Sequence, residues 1–123
     1  MILSEYASTL GAEAPFTDKR LSMTVDDTYR LQLLERKDGR ILVRARLKAL
    51  PEAGRQRDDL LEECARLTCG RMLKAGVTCA VDSLERALWL QQLCSVSSAQ
   101  DLDEQVGAFV NELTFWLNAV VRR

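Results

Sequence analysis

The sequence predicts a single small α+β domain, an α-β-β-β-α-β-β-α sandwich in which helices cover a twisted antiparallel sheet. Three observations predict it. The apolar residues switch between three-and-four-residue steps and strict alternation along the chain. An Asp38-Gly39 pair, a strong hairpin signal, separates two alternating runs. The chain, residues 1–123, is 47% hydrophobic and 28% charged with two Pro and six Gly, which fits one folded core and leaves no room for a second.

Ile2, Leu3, Tyr6 and Leu10 fall at helical spacing and Gly11 is suited to end the helix, which gives a short amphipathic first helix. Leu21, Met23 and Val25 then alternate with Ser22, Thr24 and Asp26, and Asp26-Asp27 offers a turn. Tyr29, Leu31 and Leu33 continue the alternation into Lys37-Asp38-Gly39-Arg40, so the second and third strands pair antiparallel. In the third strand Ile41, Val43, Ala45 and Leu47 take one face, and Arg44, Arg46 and Lys48 take the other. Pro51 and Gly54 break the chain. From about Gln56 to Lys74 the residues Leu60, Leu61, Cys64, Ala65, Leu67, Thr68, Met72 and Leu73 recur at helical steps, closed by Gly76. This second helix carries two adjoining apolar stripes where one would cover a sheet, and the second stripe is free to meet another subunit. Val77, Cys79 and Val81 alternate into the turn Asp82-Ser83-Leu84-Glu85, and a fifth strand runs through Leu88, Trp89 and Leu90. The last helix begins near Ser97-Ser98, with acids in its first turns, and lays Leu102, Val106, Phe109, Leu113, Trp116 and Val120 along one stripe.

Several function classes are disfavoured by what the chain lacks. Its net charge of −1 gives no positive field to draw nucleic acid or an anionic membrane. No apolar stretch approaches the roughly 20 residues that cross a bilayer. The start, Met1-Ile2-Leu3-Ser4-Glu5, is unlike a signal peptide, so a cytosolic location is expected. Without histidine the commonest general base, triad and metal ligand are missing, and no glycine-rich phosphate cradle occurs. The acidic pairs Asp26-Asp27, Asp58-Asp59 and Glu62-Glu63 sit at turns or polar helix positions and read as solvated surface. Cys64, Cys69, Cys79 and Cys94 lack the close pairing of a zinc site, and read as reduced thiols acting as small hydrophobes in a core or an interface. No catalytic residue, cofactor or metal is expected. A cysteine-dependent enzyme would need a thiol activated by a neighbouring base or cation.

Trp89 is the most informative single residue. Leu88 and Leu90 point to the opposite sheet face, so a large aromatic stands outside the main core. Either an interface covers it, or the strand is buried on both faces beneath helices.

The element order, together with Gly76-Val77-Thr78-Cys79-Ala80-Val81-Asp82 and Arg86-Ala87-Leu88-Trp89-Leu90-Gln91-Gln92, resembles the class I type III secretion chaperones, the Tir-chaperone-like family. The hairpin at Asp38-Gly39, the Leu50-Pro51 exit from the third strand, and Phe109-Val110-Asn111 and Trp116-Leu117 in the final helix fit the same pattern. The resemblance implies a non-enzymatic homodimer in the bacterial cytoplasm. It would bind the extended N-terminal chaperone-binding region of a secreted effector, keep it soluble and competent for secretion, and help deliver it to the export apparatus. It also implies a dimer interface built on the second helix and nearby strands, for which Leu61, Cys64, Thr68, Met72 and Trp89 are the candidates. The effector segment would fill shallow apolar grooves and add a strand to a sheet edge, with Ile2, Leu3, Tyr6, Leu10, Phe16 and Leu42 as candidate contacts. The alternatives are a regulator of secretion gene expression on the same fold, and a non-enzymatic adaptor subunit.

Overall fold

The computed structural model describes residues 2–10, 16–17, 19–26 and 28–121, and the side chains of residues 9, 10, 16, 17, 72–75 and 121 lie outside that description. In chain order the elements are α1 (Ile2–Leu10), β1 (Phe16–Thr17), β2 (Arg20–Val25), β3 (Tyr29–Glu35), β4 (Ile41–Ala49), α2 (Arg55–Ala75), β5 (Thr78–Asp82), β6 (Ala87–Cys94) and α3 (Ala99–Trp116), which continues into a π-helical turn, Leu117–Val121. The strands form one antiparallel sheet in the order β1-β2-β3-β4-β6-β5. The expected five strands are β2 to β6. Strand β1 adds a sixth that the sequence did not signal, because two residues are too few to display a period.

Register lines up the core. Leu21 lies opposite Leu33, Met23 opposite Leu31, Leu33 opposite Val43 and Ala45 opposite Leu90, and all of these are buried. Across this face runs the stripe of α3: Leu102, Val106, Phe109, Leu113, Trp116 and, in the π-helical turn, Val120 are all buried. Large aromatic side chains such as Phe109 and Trp116 each remove about 150–250 Å² from water, so this stripe supplies much of the drive for the layers to pack. Helix α1 closes the same side with Leu3, Tyr6 and Ala7, and the Tyr6 hydroxyl donates to Asp103 Oδ1 at 3.0 Å.

Local chemistry fixes the ends. Gly39, at φ +86°, follows a turn in which its N–H bonds the Arg36 carbonyl at 3.0 Å and the Arg36 N–H bonds the Arg40 carbonyl at 2.8 Å. Gly76, at φ +68°, ends α2 in the left-handed conformation. Ser98 caps α3 by accepting the Asp101 N–H at 3.1 Å, and Asp101 accepts the Ser97 N–H at 3.0 Å. The bonds its carboxylate accepts, from the Ser97 backbone first and then from the Gln105 side chain, hold Asp101 below its usual range.

One expectation is corrected by a register shift in the β4–β6 ladder between Arg46 and Lys48. The shift sets Lys48 opposite the core-facing Leu88, whereas Arg46 is opposite Trp89. Lys48 therefore leaves the face of Arg44 and Arg46 and turns toward α2, near enough to Cys64 to favour its thiolate.

Candidate protein-binding surfaces

Helix α2 is tied to the fold along one side. Cys64, 4% exposed, meets the Cys79 thiol of β5, and Leu60 and Leu67 pack part-buried against the core. One turn beyond Leu67, Arg71 clamps Glu112 of α3 with both ends of its fork, Nε to Oε1 and Nη2 to Oε2, the latter at 2.9 Å. Glu112 is only 7% exposed and also accepts the Trp116 Nε1–H at 3.2 Å. The Arg71 guanidinium stacks 3.8 Å from the Phe115 ring centroid. The hydrogen bonds from Arg71 hold the Glu112 carboxyl below its ordinary range despite the opposing effect of burial.

The adjoining stripe of α2 is open. Leu61 and Thr68 are half-buried and Ala65 is exposed, while the Met72 side chain lies outside the described residues. Beside this helix β5 forms one edge of the sheet, with Val81 45% exposed and Leu84 fully exposed in the turn that follows. Of the five residues the sequence proposed for a dimer interface, Leu61 and Thr68 present surface, and Cys64 packs behind them.

Trp89 stands on the other face of the sheet. Among the described residues no helix covers that face at this point, and its neighbours Thr24, Arg30, Gln32 and Arg46 are exposed. Trp89 is nevertheless only 7% exposed, because the Arg44 guanidinium lies 3.9 Å above its ring centroid. Arg44 is held there in part by Asp82 at 3.8 Å. Among the described residues the indole Nε1 and Arg44 Nε are buried without a hydrogen-bond acceptor. On the same face Leu34, Leu42 and Leu93 are aligned across β3, β4 and β6, and Leu93 is 42% exposed.

A groove of about 570 Å³ opens between α1, β2 and α3, lined by Tyr6, Met23, Val25, Val106 and Val110 with Asp103 at its side. Burial, followed by the hydrogen bond to Asp103, pushes the Tyr6 phenol well above its ordinary pKa. The groove residues Met23, Val106 and Val110 were missed as a site because their spacing signals only core. Of the sequence-proposed contacts, Ile2 is half-buried, Leu3 is wholly inside the core, Tyr6 borders the groove, and the Leu10 and Phe16 side chains lie outside the described residues. Leu42 lies on the far sheet face, so these residues do not line a single groove. Among the described residues no three carboxylates or thiols converge as a metal site, and no helix is long and apolar enough to cross a membrane.

Among the described residues the arrangement is thus one of shallow apolar surfaces and sheet edges. The family model of the Tir chaperone protein, CesT, matches residues 1–117. The chain belongs to the CesT family. Solved structures share its architecture. A chain of the HopA1–SchA chaperone–effector complex superposes with TM-score 0.69 at 20% identity, covering 96% of this chain and 91% of that one. A chain of the ExsC–ExsE complex gives 0.72 at 16% identity, with 97% and 90% covered. The heterodimeric ExoU–SpcU complex of the Pseudomonas aeruginosa type III secretion system gives 0.64 at 17% identity, with each chain covered in full. At these identities the likeness is one of fold. No curated protein sequence matches the chain.

Proposed function

We propose that this CesT-family protein is a type III secretion chaperone: a non-enzymatic homodimer in the bacterial cytoplasm that binds the non-globular N-terminal region of a secreted effector and holds it ready for export. The family match over residues 1–117 carries this reading. The groove beside Tyr6 and Val110 is the first docking place for apolar side chains of the segment, and Ile2, Leu10 and Phe16, carried on α1 and β1, are further contacts in this reading. The row Leu34, Leu42 and Leu93 is a second place, and an open sheet edge accepts the segment's backbone. The dimer contact uses Leu61, Thr68 and Met72 of α2 and wraps the β5 edge to reach Trp89 on the other face.

Co-purification from the native bacterium, with mass spectrometry of the bound protein and light scattering of the complex, tests this. A dimer carrying a secreted protein through its unstructured N-terminal region is the expected result. A bound transcriptional regulator would move the assignment to a regulatory member of the same fold, and a monomer without a partner would overturn it.

A further inference from the structure

Two of the four cysteines are brought together by the fold although 15 positions separate them. Cys79 lies opposite Leu90 in the β5–β6 ladder, which turns its side chain to the core side of the sheet, the side on which α2 packs. Cys64 is buried on the side of α2 that packs against β5, which sets the two thiols against each other. The β4 register shift delivers Lys48 beside them. Cys69 is exposed on α2, and Cys94 is buried near Asp101 at the start of α3, so neither belongs to this cluster.

Electrostatics divides the roles. The hydrogen bond from Cys79 lowers the Cys64 pKa and Lys48 assists, whereas burial and Glu63 oppose. The same hydrogen bond, joined by burial, raises Cys79. The Cys79 contact and the Lys48 charge both favour the thiolate at Cys64, which is therefore assigned the attacking role.

We propose that Cys64 and Cys79 are a redox pair that closes to an intrachain disulfide with a low-molecular-weight disulfide as oxidant, clamping α2 to the edge strand β5. The Cys64 thiolate attacks one sulfur of the oxidant, forming a mixed disulfide and expelling a thiolate. Cys79 then loses its proton to solvent and attacks the Cys64 sulfur, expelling the second thiolate. The protein gives up two electrons and two protons, and the oxidant leaves as two thiols. The clamp would fix α2, the helix whose outer stripe is assigned above to the dimer contact, but the pair itself stands on the α2–β5 contact and not on that assignment.

The test uses the full chain with Cys69→Ser and Cys94→Ser, so that only the pair remains. Oxidised glutathione is added to the folded protein, and a second sample is refolded in a glutathione redox buffer so that access to the buried sulfur does not limit the reaction. The expected product has lost both thiols together, is two hydrogens lighter, yields a Cys64–Cys79 cross-linked peptide, melts several degrees higher and reverts with reductant. A stable glutathione adduct on one cysteine, an interchain disulfide, or two free thiols under both conditions would overturn the pair. Each readout concerns the chain alone, so loss of effector binding and loss of the pair are separately visible.

Discussion

Replacing Arg71 by Met keeps the apolar stem of the side chain and removes the guanidinium, and so isolates what that group does for Glu112. In the native fold Glu112 is 7% exposed and takes two hydrogen bonds from Arg71 and one from Trp116. Removing one partner of a buried ion pair costs about 3–5 kcal/mol, because the other charge stays desolvated. Arg71 retains 32% of its side-chain exposure, which screens the pair and brings the expected loss to about 2 kcal/mol. For a chain of this size that lowers Tm by roughly 6–10 °C. A double-mutant cycle with Glu112→Leu, followed by urea unfolding, checks the account, with Arg71→Met/Glu112→Leu expected to recover more than half of the loss. The pH dependence gives a second check. The folded Glu112 carboxyl lies below its usual range, so the pair's stabilisation is present above the unfolded pKa of about 4.3 and is lost as pH falls through the folded value. The gap between native protein and Arg71→Met therefore narrows below about pH 4. Additive single-variant effects, or a gap that widens in acid, would refute the reasoning.

Leu61→Glu and Trp89→Glu are each expected to shift the proposed dimer toward monomer in sedimentation equilibrium, with circular dichroism confirming the fold, and a full dimer in both would remove the proposed interface. Val110→Glu, at the groove wall, is expected to weaken binding of an effector segment at least tenfold by calorimetry while leaving the oligomeric state unchanged. Unchanged affinity would move the segment elsewhere. Gly39→Ala places a side chain at φ +86° and is expected to cost about 1 kcal/mol in urea unfolding, with no effect on binding.

The core was legible because its periods are long: six apolar positions of the last helix recur without interruption, and all six are buried. The α2 stripe was legible for the same reason, since Leu61, Ala65 and Thr68 lie one face away from Leu60, Cys64 and Leu67. Arg71 and Glu112 were not, as the two residues stand 41 positions apart and each looks like an ordinary solvated charge. Lys48 was misplaced because its spacing from Arg44 and Arg46 continues the alternation, while the shift that turns it over exists only in the pairing with β6. Trp89 was read to the correct face, but its cover is Arg44 from the neighbouring strand, a contact set by register and not by local sequence.

The shape of these surfaces bears on how a holding protein works. Ordering an extended segment costs about 1–2 kcal/mol per residue in backbone entropy, and a groove of about 570 Å³ takes in only a few side chains. One protomer therefore offsets the ordering of a short stretch at most. A dimer offers the groove and the Leu34, Leu42, Leu93 row twice on one body, so that each occupied site raises the effective concentration at the next. Affinity then accumulates over several weak contacts and is released one contact at a time, which suits a protein that must hold an unfolded segment and later surrender it. A protomer locked as a monomer is accordingly expected to lose far more affinity for the whole segment than for a short peptide that fills a single groove.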